Sequence, residues 1–287
     1  MELYINDFVC INNTALLKNG ENILYRAKGD LPDFAKQIYT KLGLKYSKFH
    51  KMDNLSKFGL LTVELLLEGN KVPTDTSLIF ANQSSSLDTD IQYNKSIQNN
   101  REFYPSPSVF VYTLPNIVLG ELSIKHRLTG ENTFFILPSF QAAIFADLIL
   151  MQNELGKAQS FIVTWLEIME RNINVFSCYI SPIRGKIDLT LNVRNLKRLY
   201  KNNSMKETIE KLKKNLIESL NLEDISADEI DIDAPLFGDG LGLDSIDALE
   251  IIVMLERNYG IKIKDQEVGK QAMESVSSLA EFIKNNQ

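Results

Sequence analysis

The stretch at residues 240–257, GLGLDSIDALEIIVMLER, places one serine between two aspartates at the start of a long apolar run. Asp244 is a residue type that favours the cap position before a helix, and Asp247 three positions later completes an acidic variant of the capping box. This spacing predicts a helix over Ser245–Tyr259 that ends at Gly260. Ser245 is therefore expected in the first turn of the helix, exposed to solvent.

The surroundings of this serine contain acids but no base. From residue 215 to residue 256 the chain has twelve Asp and Glu residues and no Lys, Arg or His. A serine that attacks a substrate needs a neighbouring base, so we expect that another protein modifies Ser245. The alternative is an ordinary first-turn serine, whose acidic neighbours only form a solvated helix face.

Charge is distributed unevenly over the 287 residues, which suffice for two domains. Residues 205–287 hold 18 acidic and 9 basic side chains, a net charge of −9, whereas the remainder is +3. Such asymmetry favours two modules with different partners. The acidic module and the lack of a basic cluster with interleaved aromatics argue against nucleic-acid binding.

The chain shows no sign of a membrane span, a secretion signal or a metal site. Its apolar runs are shorter than the ~18 residues that cross a bilayer, and its start has polar residues where a signal peptide is apolar. Cys10 and Cys178 fit neither a disulfide framework nor a metal spacing. We expect a cytoplasmic protein without a bound metal.

The front of the chain alternates strand-like and helix-like segments, which predicts an α/β domain with a mainly parallel sheet. The predicted strands are residues 77–82, 134–137, 160–166 and 174–180, and the predicted helices are residues 54–67, 115–128 and 140–155. A polar, basic segment at residues 196–206 is the predicted linker. The domains are then residues 1–195 and residues 207–287.

The rear module has the pattern of a small all-α bundle. Apolar residues recur at helical spacing before the acidic loop, and a further short helix is expected at residues 275–283. Three or four helices around an Ile and Leu core form such a bundle.

Together with the preceding loop DAPLFGDG, the quoted stretch resembles the phosphopantetheine attachment segment of acyl carrier proteins. The match consists of Asp-Ser, a hydrophobic residue, an acid and a later Leu-Glu, and it extends over the rear module to the closing SVSSLAEFI. The resemblance implies that Ser245 carries a covalent 4′-phosphopantetheine arm, which a phosphopantetheinyl transferase takes from coenzyme A, with Asp244 beside it. It also implies that Asp247, Glu250 and Glu256 dock onto basic patches of partner enzymes.

The front resembles the N-terminal half of β-ketoacyl synthases, which have the thiolase-type fold. The stretches that carry this resemblance are YSKFHKMDNLSKFGLLTVELLL, SLIFANQSSSLDTD, SPSVFVYTLPNIVLGELSIKHRLTGEN and FFILPSFQAAIFADLILMQNELGKAQSFIVTWLE. Active synthases have a cysteine at the turn from strand to helix and two histidines in the second half of the fold. Here the turn reads LPSF at residues 137–140, Ser139 is nearest to the expected position, and the second half is missing.

These differences from active synthases imply that the front is an inactive, chain-length-factor-like half. The resemblance further implies that it pairs with a complete ketosynthase in fatty-acid or polyketide biosynthesis of the polyene type. The pairing, as a homodimer or a heterodimer, is expected through the apolar segment 109–122. The alternative is an active acyltransferase or condensing-type enzyme that uses Ser139 or Cys178. That alternative requires a basic group within hydrogen-bond reach of one of these side chains.

Overall fold

The computed structural model describes residues 2–27, 29–98, 105–222, 224–238, 240–263 and 265–286, without the side chains at positions 203, 204 and 266. The chain divides into two compact units, Met1–Tyr200 and Lys201–Gln287. The domain limits 1–195 and 207–287 remain predictions.

The first unit is built on one mixed sheet. Among the described residues the sheet has eight strands in the order β3-β2-β1-β7-β6-β4-β5, with β8 paired to β1. Strand β4 is parallel to β5 and β6, and the other neighbouring strands are antiparallel. The strand bounds are β1 (Tyr4–Ile11), β2 (Ala15–Lys18), β3 (Glu21–Tyr25), β4 (Ser77–Asn82), β5 (Asn132–Ile136), β6 (Phe161–Met169), β7 (Asn172–Ser181) and β8 (Leu189–Thr190).

The α/β class of this unit is confirmed, but the expected mainly parallel sheet is a mixed one. Only Glu170 and Arg171 separate β6 from β7, and only Asn19 and Gly20 separate β2 from β3. A two-residue loop joins antiparallel strands, since parallel strands need a long crossover. Asn19 and Gly20 both have positive φ angles, 53° and 86°, as the tight hairpin turn requires.

Helices cover both faces of the sheet. The helices on one face are α1 (Leu31–Lys41), α2 (Asn54–Leu67) and α5 (Ile117–His126), and those on the other are α6 (Ala142–Glu154) and the first part of α7 (Val193–Ser219). Two shorter helices, α3 (Leu87–Ile97) and α4 (Pro107–Val111), contact each other through the rings of Tyr93 and Phe110. Eleven of the fourteen residues of α2 are buried, so this helix forms the centre of its layer.

The second unit is the predicted small helical bundle. It contains the second part of α7 together with α8 (Ser245–Tyr259), α9 (Gln266–Ala272) and α10 (Val276–Asn286). The core of the unit includes Leu216 from α7, Leu255 from α8 and Leu279 from α10, all without exposed surface. A long loop between α7 and α8 contributes Ile230 and Leu236 to the same core.

The segment predicted as the linker, residues 196–206, lies within α7 and is helical. The segment was predicted as a linker because most of its residues are polar. Its apolar residues Leu196, Leu199 and Tyr200 nevertheless have helical spacing and pack in the core of the first unit. Met205 packs in the core of the second unit. A linker between the two units therefore has regular structure here, which polarity alone did not predict.

Candidate functional site

Ser245 is the first residue of α8, and its exposed position follows from the capping of that helix. Asp244 Oδ1 accepts hydrogen bonds from the backbone N–H groups of Ile246 at 2.7 Å and Asp247 at 3.2 Å. In return, Asp247 Oδ2 accepts from the backbone N–H of Asp244 at 2.8 Å. The predicted capping box is thus present, and it holds the backbone on both sides of the serine.

The C-terminal end of α8 also has the predicted geometry. Gly260 has a φ angle of 71° and donates its N–H to the carbonyl of Glu256. This left-handed conformation, which favours glycine, satisfies the last carbonyl groups of the helix. With both ends fixed in this way, α8 is a rigid support for its first-turn serine.

An apolar cavity of about 1030 Å³ lies beside Ser245. The polar part of its lining consists of Asp233, Asp244, Ser245, Lys270, Glu274 and Ser275. The apolar part of the lining consists of Pro235, Phe237, Leu243, Ala248, Leu249, Ile252, Ile263, Gly269 and Met273. A mainly apolar cleft of this size is typical of a small-molecule site, and here it is adjacent to the serine hydroxyl.

Gly269 is closely packed in the wall of this cavity. A Cβ atom added to Gly269 would lie 2.9 Å from Ile263 Cγ2, closer than normal packing allows. The cavity could not be predicted from the sequence, because its lining residues come from the long loop, from α8, and from α9 and the residues next to it, and α9 was not predicted.

The acids expected to dock partners differ in their surroundings. Asp244 and Asp247 are engaged in the capping box. Glu250 is exposed on the second turn of α8. Glu256 lies near the end of the helix, where its Oε1 forms an ion pair with Lys262 Nζ at 2.8 Å. Of these four acids, Glu250 is the one whose exposed carboxylate has neither a helix cap nor an ion pair among the described residues.

Three large apolar side chains are exposed along the same helix. Ile246, Leu249 and Val253 keep 68%, 63% and 59% of their surface accessible. The sequence analysis did not single them out, although the signal was present: α8 has more apolar positions than one buried face can hold. Exposed apolar side chains next to an acid are typical of a protein-binding surface.

In the first unit, the side chains proposed as nucleophiles are far apart. Ser139 is exposed in the turn between β5 and α6, and Cys178 is fully buried in β7. Two strands, β4 and β6, lie between β5 and β7, which corresponds to about 14 Å at the usual strand spacing. Burial raises the pKa of the Cys178 thiol far above its usual range, so the reactive thiolate is disfavoured.

The apolar segment 109–122 is divided between surface and core. Phe110, Val111 and Leu114 expose 57%, 47% and 56% of their surface, whereas Val118 and Leu122 of α5 are buried. Ile117 is half-buried and packs against the core. Only the first part of the segment is therefore available to a partner.

None of the helices in the part of the chain that the structure describes is long and apolar enough to cross a membrane. The described ranges also hold no group of three or more His, Cys, Asp or Glu side chains arranged to bind a metal ion.

Comparison with known proteins identifies the second unit. The protein family described as "phosphopantetheine attachment site" matches residues 210–283. An acyl carrier protein of Buchnera aphidicola subsp. Acyrthosiphon pisum is 40% identical over 81 residues, which is 28% of this chain and 94% of that protein. The unit is thus a phosphopantetheine-bearing carrier module.

Through this module the chain belongs to the acyl carrier protein family. Its cofactor is accordingly a covalently attached phosphopantetheine. The site fits such a group, because Ser245 is exposed and the apolar cavity beside it can receive what the group carries.

Solved structures with a similar shape are ketosynthase assemblies. The ishigamide ketosynthase/chain length factor has a TM-score of 0.46 at 14% identity, covering 63% of this chain and 62% of that one. The ketosynthase ApeO in complex with its chain length factor ApeC from Xenorhabdus doucetiae has a TM-score of 0.44 at 14% identity, with coverages of 64% and 81%. AntDE:AntF, a type II carrier protein in complex with its ketosynthase, has a TM-score of 0.46 at 11% identity, with coverages of 99% and 90%. With TM-scores below 0.5, none of these likenesses bears on function.

Proposed function

We propose that Ser245 is the attachment point of the phosphopantetheine arm. The observation that carries this proposal is the exposed hydroxyl on the first turn of α8, beside the apolar cavity. The serine needs no resident base, because a phosphopantetheinyl transferase takes up the hydroxyl proton. The serine oxygen bonds to the phosphate that bears the pantetheine of coenzyme A, while the diphosphate bond breaks and adenosine 3′,5′-bisphosphate leaves.

The residues around Ser245 have separate tasks in this proposal. The arm supplies a thiol, which holds acyl groups as thioesters. Asp244 and Asp247 fix the backbone that presents the serine, through the hydrogen bonds of the capping box. Leu249, Ile252 and Met273 line the cavity and can shield an apolar chain from water.

The lining of the cavity favours a linear, apolar acyl chain. Lys270, Ser245 and Ser275 are the side-chain donors of the lining, and the apolar residues outnumber them. Carbonyl groups of an extended polyketone that met the apolar side chains without a donor would be costly. A hydrocarbon or polyene chain has no such groups. We therefore assign the carrier to fatty-acid or polyene-type polyketide biosynthesis.

We further propose that the first unit does not catalyse condensation. The turn before α6 has Ser139 where active synthases have cysteine, and no basic group lies in hydrogen-bond reach of Ser139 among the described residues. The competing function, an acyltransferase or condensing-type enzyme that uses Ser139 or Cys178, requires such a base. Burial and a raised pKa argue against Cys178 in the same role.

The first unit is instead proposed to pair with a complete ketosynthase. Phe110, Val111 and Leu114 give it an exposed apolar surface. Strand β5 offers a second feature, because it is an edge strand of the sheet and contains no charged residue or proline. Edge strands without such protection readily pair with another chain. A heterodimer with the ketosynthase is the favoured assembly, and a homodimer is the other.

Replacing Val111 by aspartate is expected to weaken this pairing at least about tenfold, since a charge would be buried in an apolar contact. The measurement is affinity between this chain and a complete ketosynthase from the same host, by sedimentation or titration calorimetry. Leu150→Asp is the matched control, because Leu150 on α6 is similarly exposed at 42% and lies outside the segment. Equal affinities for wild type and Val111→Asp would contradict the proposed surface.

A further inference from the structure

The first part of α7 carries a row of cations on its exposed side. Arg194 is followed by Lys197 and Arg198 three and four positions later, so these exposed side chains share one side of the helix. Lys201, also exposed, continues the row by one turn, and we call these four residues the basic stripe. The sequence has no acidic residue between positions 189 and 206, so the stripe is a patch of a single charge sign.

The opposite side of this part of α7 is fixed to the first unit. Leu196 has no exposed surface and packs in the core. The ring of Tyr200 stacks on the ring of Phe140, with the two centroids 4.2 Å apart. The Tyr200 hydroxyl also accepts a hydrogen bond from Asn174 Nδ2 at 2.9 Å. These contacts hold the basic stripe on a well-packed surface.

The basic stripe does not stabilise the helix that carries it. Like charges four positions apart on a helix repel each other, and the pairs Arg194/Arg198 and Lys197/Lys201 have this spacing. Arg194 also lies in the first turn of α7, where the helix dipole disfavours a cation. None of the four side chains forms an ion pair or a side-chain hydrogen bond with the residues that the structure describes. Their charges are therefore available to another molecule.

The chain also carries the complementary charge, in the long loop between α7 and α8. The acidic loop, as we call it, presents the exposed carboxylates of Asp224, Asp228, Glu229, Asp231 and Asp233. Ile230 fixes this loop in the core of the second unit, and the Ile232 carbonyl accepts a hydrogen bond from the Ser277 N–H at 2.8 Å. None of the five carboxylates forms an ion pair with the described residues.

We propose that the basic stripe of one copy of this chain binds the acidic loop of a second copy. Charge complementarity favours this occupant, because residues 205–287 have a net charge of −9 and the stripe is cationic. Each copy carries both surfaces, so a two-fold symmetric dimer forms the contact twice. The carrier module of each copy is then held by the first unit of the other. This contact is separate from the apolar surface proposed to pair with a ketosynthase.

The test is sedimentation velocity of the full-length chain over a concentration series at low and high salt. Salt screens exposed charges, so the dissociation constant of the dimer is expected to rise at least about tenfold between about 0.05 M and about 0.5 M salt. The stripe variant Lys197→Glu/Arg198→Glu and the loop variant Asp224→Lys/Asp228→Lys are each expected to sediment as monomers at low salt. In each variant, like charges face each other across the proposed contact.

The matched control is Lys36→Glu/Lys41→Glu. Both lysines are exposed cations of α1, a helix on the other face of the sheet. This double variant changes the net charge by the same amount as the stripe variant does. It should dimerise as the wild type does.

A mixture of the stripe variant and the loop variant separates a contact between copies from a contact within one chain. The unchanged loop of the stripe variant faces the unchanged stripe of the loop variant, and the two reversed surfaces are again opposite in charge. The equimolar mixture is therefore expected to form dimers that neither variant forms alone. Mixing cannot restore a contact within one chain.

Four outcomes would overturn the inference. A wild type that sediments as a monomer at low salt would assign the stripe to a different anionic molecule. A dimer that persists in the stripe variant would belong to another surface, and an equal loss in the α1 control would be an effect of net charge. A mixture that stays monomeric would place the contact within one chain. All variants should still take up one arm from coenzyme A, which checks their fold and keeps this test independent of Ser245.

Discussion

Ser245→Ala is expected to take up no phosphopantetheine at all. The hydroxyl oxygen is the atom that joins the phosphate, and the first turn of α8 has no other serine or threonine. The measurement is the intact mass of the full-length protein after incubation with coenzyme A and a broad-specificity transferase. The wild type should gain the mass of one arm, and the variant should gain none.

Ser226→Ala is the control for this experiment. Ser226 is an exposed serine of the same unit, and its hydroxyl bonds to Glu229 at 2.7 Å. This variant should load as the wild type does. A full mass shift that persists in Ser245→Ala would place the arm on another residue.

Gly240→Ala is expected to have the largest effect on the stability of the second unit. A Cβ atom at this position would overlap the backbone carbonyl of Pro235, and no side-chain rotation can relieve a clash with backbone. We expect a loss of about 3 kcal/mol, the upper part of the range for overpacking. Leu243 and Asp244 follow directly in the chain, so the cap of α8 and the presentation of Ser245 should be disturbed as well.

The measurements for Gly240→Ala are hydrogen exchange in α8 and the rate of arm loading. Gly238→Ala is the matched control in the same loop, since an added Cβ meets nothing within 4 Å there. Its φ angle of 69° makes the alanine strained, at a cost of about 1 kcal/mol. Protection of α8 that is the same in both variants would contradict the proposed close contact with Pro235.

Local sequence signals predicted three elements with their observed bounds. Helix α2, strand β4 and helix α8 coincide with the predicted residues, because each has a clear apolar pattern and a start or stop signal. In α2 and α8 an aspartate caps the first turn. The capping box around Ser245 was predicted from two aspartates three positions apart.

The first three strands were missed, although one signal was present. Asn19-Gly20 is a strong indicator of a hairpin, and the structure has that hairpin between β2 and β3. A hairpin joins antiparallel strands, so this pair also indicates that the sheet is not mainly parallel. Strand order itself was not accessible from local pattern, because pairing between β1 and β7 joins residues far apart in the chain.

The geometry of the site was only partly accessible from the sequence. Ser245 and its cap are local features, and they were predicted. The cavity needed Phe237 from the loop and Met273 at the end of α9 to meet α8. The pairing of Glu256 with Lys262 needed the turn at Gly260 to bring the lysine back to the helix. Tertiary contacts of this kind leave no periodic signal.

The central claim is that this chain carries acyl groups on an arm attached to Ser245. Its most direct test is peptide mapping by mass spectrometry of the full-length protein purified from its native host. The account predicts one phosphopantetheine on the peptide that contains Ser245, with a linear apolar acyl group on the loaded fraction. An unmodified Ser245 in protein that carries the arm elsewhere, or that carries no arm, would contradict it.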